Sequence, residues 1–118
     1  VIFAVRWVPL HPEQTERGTL FVKLRRATGL LPMDSNGFSD PYAKLTLCGK
    51  THKSRTIKKT LDPVWDETFS YRGLLRELLS EPVQLQLWDR DTFSLNDRLG
   101  HAAVELRDLE LGGRHLHE

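Results

Sequence analysis

Three observations predict an all-β fold, an antiparallel β-sandwich of seven or eight short strands: apolar and polar residues alternate, turn-forming residues recur at short intervals, and helical periodicity is nearly absent. Val1–Leu10 reads as a first strand. In Thr19–Arg26, Leu20, Val22 and Leu24 share one face and Phe21, Lys23 and Arg25 the other. In Tyr42–Leu47, Ala43, Leu45 and Leu47 oppose Tyr42, Lys44 and Thr46. The basic stretch Lys50–Lys59 follows as a further strand with Lys53 and Arg55 on one face, and Val83, Leu85 and Leu87 oppose Gln84, Gln86 and Trp88. Ala102 and Val104 continue the alternation before a turn at Leu106–Leu109. Only Gly73–Ser80 reads as a short helix. Glu16-Arg-Gly18, Gly29, Ser35-Asn-Gly37, Cys48-Gly49, Asp62-Pro63, Glu81-Pro82 and Gly112-Gly113 supply the turn chemistry between these runs.

With 118 residues the chain is expected to be one domain, residues 1–118, with a single core. It lacks a starting Met and begins as though a strand were under way, which suggests a domain excised from a larger multidomain protein. A hydrophobic content of 39% argues against disorder, and a formal net charge of +1 gives no bulk field to attract nucleic acid. Cys48 is the only cysteine, so an internal disulfide is excluded and a reducing compartment suits the chain. No apolar stretch approaches the ~20 residues needed to span a bilayer, and the start lacks the pattern of a signal peptide.

The acidic residues are unevenly placed. Asp34-Ser-Asn-Gly-Phe-Ser-Asp40 and Asp89-Arg-Asp-Thr-Phe-Ser-Leu-Asn-Asp97 hold five of the eight aspartates, and each follows a strand-like run. At about 5 Å and an effective dielectric near 20, each carboxylate pair costs roughly 3 kcal/mol. A hard dication removes that penalty, and calcium accepts six to eight oxygens in flexible geometry. Asp and Asn are also ordinary turn formers, and one such loop alone would be read that way; two loops with matched six-residue Asp spacing favour a calcium cup. It is not an EF-hand, because counting from Asp34 the sixth position is Ser39 rather than Gly and the twelfth is Leu45 rather than Glu.

Asp34-x5-Asp40-Pro-Tyr, Thr60-Leu-Asp-Pro-Val-Trp-Asp-Glu-Thr-Phe69, Trp88-Asp-Arg-Asp-x5-Asp97 and Leu99-Gly100 together resemble a C2 domain over essentially the whole chain. Pro-Met-Asp-Ser-Asn-Gly in the first loop is most similar to the synaptotagmin, rabphilin and double-C2 group, and the early strand Val1–Leu10 resembles the type I strand order. The resemblance implies an eight-stranded antiparallel β-sandwich whose loops at one end hold two or three Ca2+ ions. It assigns the metal ligands to Asp34, Asp40, Asp89, Asp91 and Asp97, with Ser94 as an auxiliary oxygen and Met33 and Arg90 offering main-chain carbonyls. Members usually continue past the position of His117-Glu118, so the last strand is expected to be short.

Phe93 and Leu95 at the tip of the third loop, and Phe38 beside the first, are expected to insert among lipid head groups. The competing reading folds Phe93 back onto the core. Tyr42, Lys44, Lys53, Arg55 and Trp88 match the family's phosphoinositide-binding face, where each basic residue near an anionic surface is worth about 1 kcal/mol; Lys58 and Lys59 read as solvent charges. The bland alternative is an ordinary solvated strand. His115 and His117 lack a third zinc ligand, Cys48 has no activating partner beyond His52, and Trp65 and Phe69 read as core aromatics.

The expected function is calcium-dependent docking on phosphatidylserine- or phosphoinositide-containing membranes, in vesicle trafficking, exocytosis or signalling. Trafficking proteins join the expected partners, nucleic acid does not, and the chain is expected to be a monomeric, cytoplasmic protein that becomes peripheral to the membrane on calcium binding. One alternative is a protein-interaction domain using the basic concave face, with calcium secondary. A metal-dependent hydrolase is disfavoured because the carboxylates saturate the ion and no nucleophile or base stands beside them.

Overall fold

The computed structural model describes residues 1–33, 36–90, 97–106 and 115–117, with only the backbone described for Phe3, Asp97 and 115–117. Among the described residues, eight strands and one helical turn run in the order β1 (Ile2–His11), β2 (Gln14–Arg26), β3 (Pro41–Leu47), β4 (Lys50–Lys53), β5 (Val64–Leu74), α1 (Leu75–Leu78), β6 (Val83–Asp89), β7 (Asp97–Val104) and β8 (His115–His117). They form two four-stranded sheets, ordered β5-β2-β1-β8 and β4-β3-β6-β7. Every pairing is antiparallel. The expected sandwich is therefore present, the early strand β1 lies between β2 and β8, and β8 is described over three residues.

The alternating residues supply the core. Leu20, Val22 and Leu24 are fully buried, and Val5 and Trp7 of β1 join them on the inner face of the first sheet. Ala43, Leu45 and Leu47 of β3 and Val83, Leu85 and Leu87 of β6 cover the opposing face. Fully burying one such aliphatic side chain is worth about 1.5–3 kcal/mol, so the two stripes that face each other hold the sheets together. Trp65, the most bulky of the fully buried residues, fills the space between them. Gly18 permits the close approach of β1 and β2, because a Cβ there would collide with the Val8 carbonyl, Pro9 Cα and the Trp7 ring.

The expected helix over Gly73–Ser80 contracts to the single turn Leu75–Leu78. Gly73 and Leu74 remain in β5, paired with Gly18 and Arg17, because the long β2 ladder continues to that end of the sheet. Asp62 and Pro63 shape a turn as expected. The Asp62 carboxylate accepts the Gly29 N–H at 2.9 Å, and the Pro63 carbonyl accepts the Ala27 N–H at 3.1 Å.

Side chains lace the β4 edge of one sheet to the β5 edge of the other. His52 of β4 lies 2.9 Å from the Ser70 carbonyl and stacks on Phe69 while meeting Tyr71 edge-on. The Arg55 guanidinium donates to the Trp65 carbonyl at 2.6 Å, and the Trp65 indole N–H returns a bond to the Arg55 carbonyl at 3.1 Å. β4 ends at Lys53, so Arg55 is not on a strand face with Lys53 as the alternation suggests; it turns toward β5 instead.

Tyr71 bonds across the core, donating its hydroxyl to the Leu45 carbonyl at 2.8 Å. Tyr71→Phe removes the donor of this cross-core bond, so a loss of about 0.5–1.5 kcal/mol is expected in urea unfolding. Burial also raises the Tyr71 phenol above its ordinary value. The unfolded chain therefore deprotonates first, and the stability Tyr71 contributes is intact below about pH 10 and falls as pH rises beyond it. The phenylalanine variant should show a shallower alkaline decline of its urea midpoint than the parent.

Candidate functional site

Three strand ends converge at one end of the second sheet. Asp89 closes β6, with Pro41, the first residue of β3, as its Cα partner on one side and Asp97, the first residue of β7, on the other. Neighbouring strands lie about 4.8 Å apart, so the sequence segments around Asp40, Asp89 and Asp97 are adjacent although about fifty residues separate the first from the others. Asp89 is 1% exposed. Its Oδ1 accepts the Asp40 N–H at 2.7 Å, while its buried Oδ2 has no hydrogen-bond partner among the described residues. The Asp40 carboxylate accepts the Lys59 N–H at 2.7 Å, and the Asp40 carbonyl accepts the Arg90 N–H at 2.9 Å.

Ser39 fixes the first loop against this end. It is fully buried, accepts the Met33 N–H at 3.1 Å and donates its hydroxyl to the Leu31 carbonyl at 2.7 Å. The Met33 N–H also reaches the Phe38 carbonyl at 3.2 Å. Asn36 accepts the Phe38 N–H at 2.9 Å, and Gly37 takes a φ of 84°, a left-handed turn that suits glycine. The loop thereby returns Asp40 to the sheet, with Met33 and Phe38 both 43% exposed at its rim.

Among the described residues the side chains gathered here, Asp40 and Asp89, offer oxygen donors. A buried carboxylate with one unpartnered oxygen, beside a second carboxylate, suits a hard cation better than a soft transition metal. Among the described residues no three His, Cys, Asp or Glu side chains form a metal-holding group. Asp34, Asp91, Phe93, Ser94 and Leu95 lie outside the described residues, as does the Asp97 side chain.

A second constellation covers the outer face of the same sheet. Lys44 and Lys53 are Cα partners, as are Tyr42 and Trp88. Lys44 Nζ stands 5.1 Å from the centre of the Trp88 ring, and Lys53 Nζ 4.9 Å from that of Tyr42. Each contact aims a cation at the ring's negative face. The alternation thus brings four of the five expected residues together, with Tyr42 itself almost covered. Arg55 is exposed but stands apart, one guanidinium nitrogen committed to Trp65.

Other participants were not singled out from sequence. The Lys59 amide serves Asp40 from a positive φ of 51°. Arg98 and His101 lie opposite Trp88 and Gln86 and extend the polar face, because a register shift after Leu87 inserts an extra residue in β7. A basic residue opposite a half-buried tryptophan was the available signal, but the bulge disguised its register. Cys48 is exposed, and its thiol is raised by desolvation and by the Glu81 and Glu77 carboxylates, which fits the reading that it is no nucleophile.

A family model described as the C2 domain matches residues 18–118. The chain is a C2 domain. It is 42% identical over 94 residues to a Drosophila melanogaster multiple C2 and transmembrane domain-containing protein, covering 79% of this chain and 10% of that one. A protein kinase C eye isozyme from the same species is 38% identical over 96 residues, covering 77% of this chain and 14% of the enzyme. Protein piccolo of Rattus norvegicus is 32% identical over 104 residues, 75% of this chain and 2% of piccolo. The domain therefore spans a small part of each of these relatives.

Among solved structures, a C2 domain of RIM from Drosophila superposes with a TM-score of 0.77 at 26% identity, covering 98% of this chain and 94% of that one. The calcium-bound pair of C2 domains of extended synaptotagmin 2 shares the fold with a TM-score of 0.63 at 21% identity, covering 91% of this chain and 35% of that one. As a C2 domain, this chain is a membrane- or protein-binding module of a kind that is generally non-catalytic. No helix among the described residues is long and apolar enough to cross a membrane.

Ser39→Ala should loosen the first loop without touching a carboxylate. Loss of both hydroxyl bonds is expected to cost about 1–3 kcal/mol in urea unfolding, with faster hydrogen exchange at the Met33 amide.

Proposed function

We propose that this C2 domain is a calcium-dependent phospholipid-binding module that docks its parent protein on anionic membranes. The observation that carries the reading is the buried Asp89, with Oδ1 on the Asp40 amide and Oδ2 left without a partner among the described residues, beside the Asp40 carboxylate. Asp34, Asp40, Asp89, Asp91 and Asp97 would hold two or three calcium ions, with Ser94 and the main-chain carbonyls of Met33 and Arg90. Calcium supplies positive charge that neutralises these carboxylates and completes its coordination with lipid phosphate or carboxylate. Without it, the acidic loops repel an anionic leaflet.

The remaining residues orient and strengthen that contact. Phe38 stands exposed beside the acidic end, where Phe93 and Leu95 would join it among lipid head groups. Lys44 and Lys53, held over Trp88 and Tyr42, form the phosphoinositide-binding face, with Arg55 contributing from its margin through its uncommitted donors. The parent would then be a cytoplasmic, monomeric participant in vesicle trafficking, exocytosis or signalling that becomes peripheral to the membrane when calcium rises.

Calcium at a hundredfold excess over its Kd should stabilise the domain by about 2.7 kcal/mol for one site, raising the thermal midpoint in a manner reversed by chelator. Asp89→Asn combined with Asp91→Asn should abolish both this shift and calcium-driven sedimentation with phosphatidylserine vesicles. Calcium-dependent sedimentation that survives the double substitution would falsify the reading.

Lys44→Ala with Lys53→Ala should lower affinity for phosphoinositide-containing vesicles by about 2 kcal/mol, from roughly 1 kcal/mol per cation. Calcium affinity measured calorimetrically without lipid should stay unchanged. Equal losses on phosphatidylserine vesicles with and without phosphoinositide would remove the selectivity assigned to this face.

A further inference from the structure

The first sheet presents its own cationic surface, on the side of the sandwich opposite Lys44 and Lys53. Because Leu20, Val22 and Leu24 point inward, the odd-numbered residues of β2 point outward: Arg17, Phe21, Lys23 and Arg25. Arg6 of β1 is the Cα partner of Phe21, with its guanidinium carbon 5.2 Å from the ring centre. Arg72 of β5 is paired with Thr19 on the other flank. This face carries five cations, Arg6, Arg17, Lys23, Arg25 and Arg72, and Asp66 stands beside Arg25 at one end. None of the five is ion-paired to a carboxylate among the described residues.

The cations frame two shallow hollows. One, of about 260 Å3, is lined by Ala4, Arg6, Phe21, Lys23, Arg25 and Thr68 around an apolar floor. The other, of about 420 Å3, is lined by Val8, Leu10, Arg17 and Arg72, with Val8 36% and Leu10 68% exposed. Both lie along β2, where Phe21 and Arg17 are four residues apart, or about 13 Å at the strand rise. Same-side residues of an extended chain recur at that interval.

We propose that the outer face of the first sheet binds an extended acidic protein segment carrying two apolar side chains four residues apart. The guanidinium groups of Arg6, Arg25, Arg17 and Arg72 present forks that match carboxylates in paired geometry, whereas a lysine presents a point charge. Phe21 and Val8 with Leu10 receive the apolar side chains. Charge complementarity selects an acidic partner, and geometry selects a protein over a bilayer. Phe21 sits half-buried between the cations of a sheet face, not on a protruding tip that could enter a leaflet. A domain lying on a membrane by its acidic end or its Lys44 and Lys53 face also turns this sheet away from that membrane.

The test uses the 118-residue chain in chelator, so that it stands independently of the calcium reading. The probe is a fluorescein-labelled dodecapeptide of glutamates with leucines at its fourth and eighth positions. In amide spectra of the unsubstituted chain, the peptide should shift residues of β1, β2 and β5. By anisotropy, Arg6→Glu with Arg25→Glu should weaken the peptide roughly tenfold or more, and Lys44→Glu with Lys53→Glu by less than about twofold. An all-glutamate peptide should bind several-fold more weakly. Shifts confined to β3 and β4 would overturn the proposal, even if the Arg6 and Arg25 variant failed to fold. So would a variant that keeps peptide affinity but loses sedimentation with phosphatidylserine vesicles, since this face would then be the membrane surface.

Discussion

Keeping a carboxylate in the interior, with one oxygen bonded and the other not, costs several kcal/mol unless positive charge compensates it. Asp89 occupies that position because β6 is the central strand between β3 and β7, so its last residue is walled in by both neighbours. Much of the acidic end follows from this confinement. The Asp40 amide turns toward Asp89, the Arg90 amide turns back toward Asp40, and the Lys59 amide is held to Asp40 from an otherwise unfavourable backbone conformation. Main-chain dipoles partly offset the charge and also fix where the oxygens stand.

The near-neutral total charge conceals a separation of fields. Among the described residues, the Asp40 and Asp89 carboxylates stand at one end, Lys44 and Lys53 with two aromatics lie on one sheet, and arginines lie on the other. Strand alternation makes this separation possible, since each strand spends half its side chains on the core and leaves the other half free to vary with the surface they face. One small sandwich can thereby offer chemically different contacts in different directions without altering its interior.

The sheet architecture was legible wherever burial on one face dominates. Leu20, Val22 and Leu24, and likewise Leu45 with Leu47 and Leu85 with Leu87, mark their strands because a one-residue slip would expose every one of them. The acidic end was partly legible, since aspartates at matched spacing are visible in the chain and the adjacency of Asp40 and Asp89 follows from strand pairing. The Lys59 amide was not, because a main-chain donor leaves no trace in residue identity. Arg55 was misplaced because alternation continues on paper past Lys53, whereas the Trp65 carbonyl draws the guanidinium toward the other sheet. The helical reading of Gly73 and Leu74 yielded to the β2 ladder, a pairing between residues more than fifty positions apart.

The lacing between β4 and β5 has a consequence for assembly. An uncovered strand edge is a template onto which another chain can add hydrogen bonds. Here the Ser70 and Trp65 carbonyls of β5 are already engaged by His52 and Arg55 from the facing sheet. At those two positions the margin is capped by side chains instead of by another strand, so an incoming polypeptide finds the ladder interrupted there. Two polar side chains, a histidine and an arginine, thus stitch this part of the seam and take two acceptors away from strand addition.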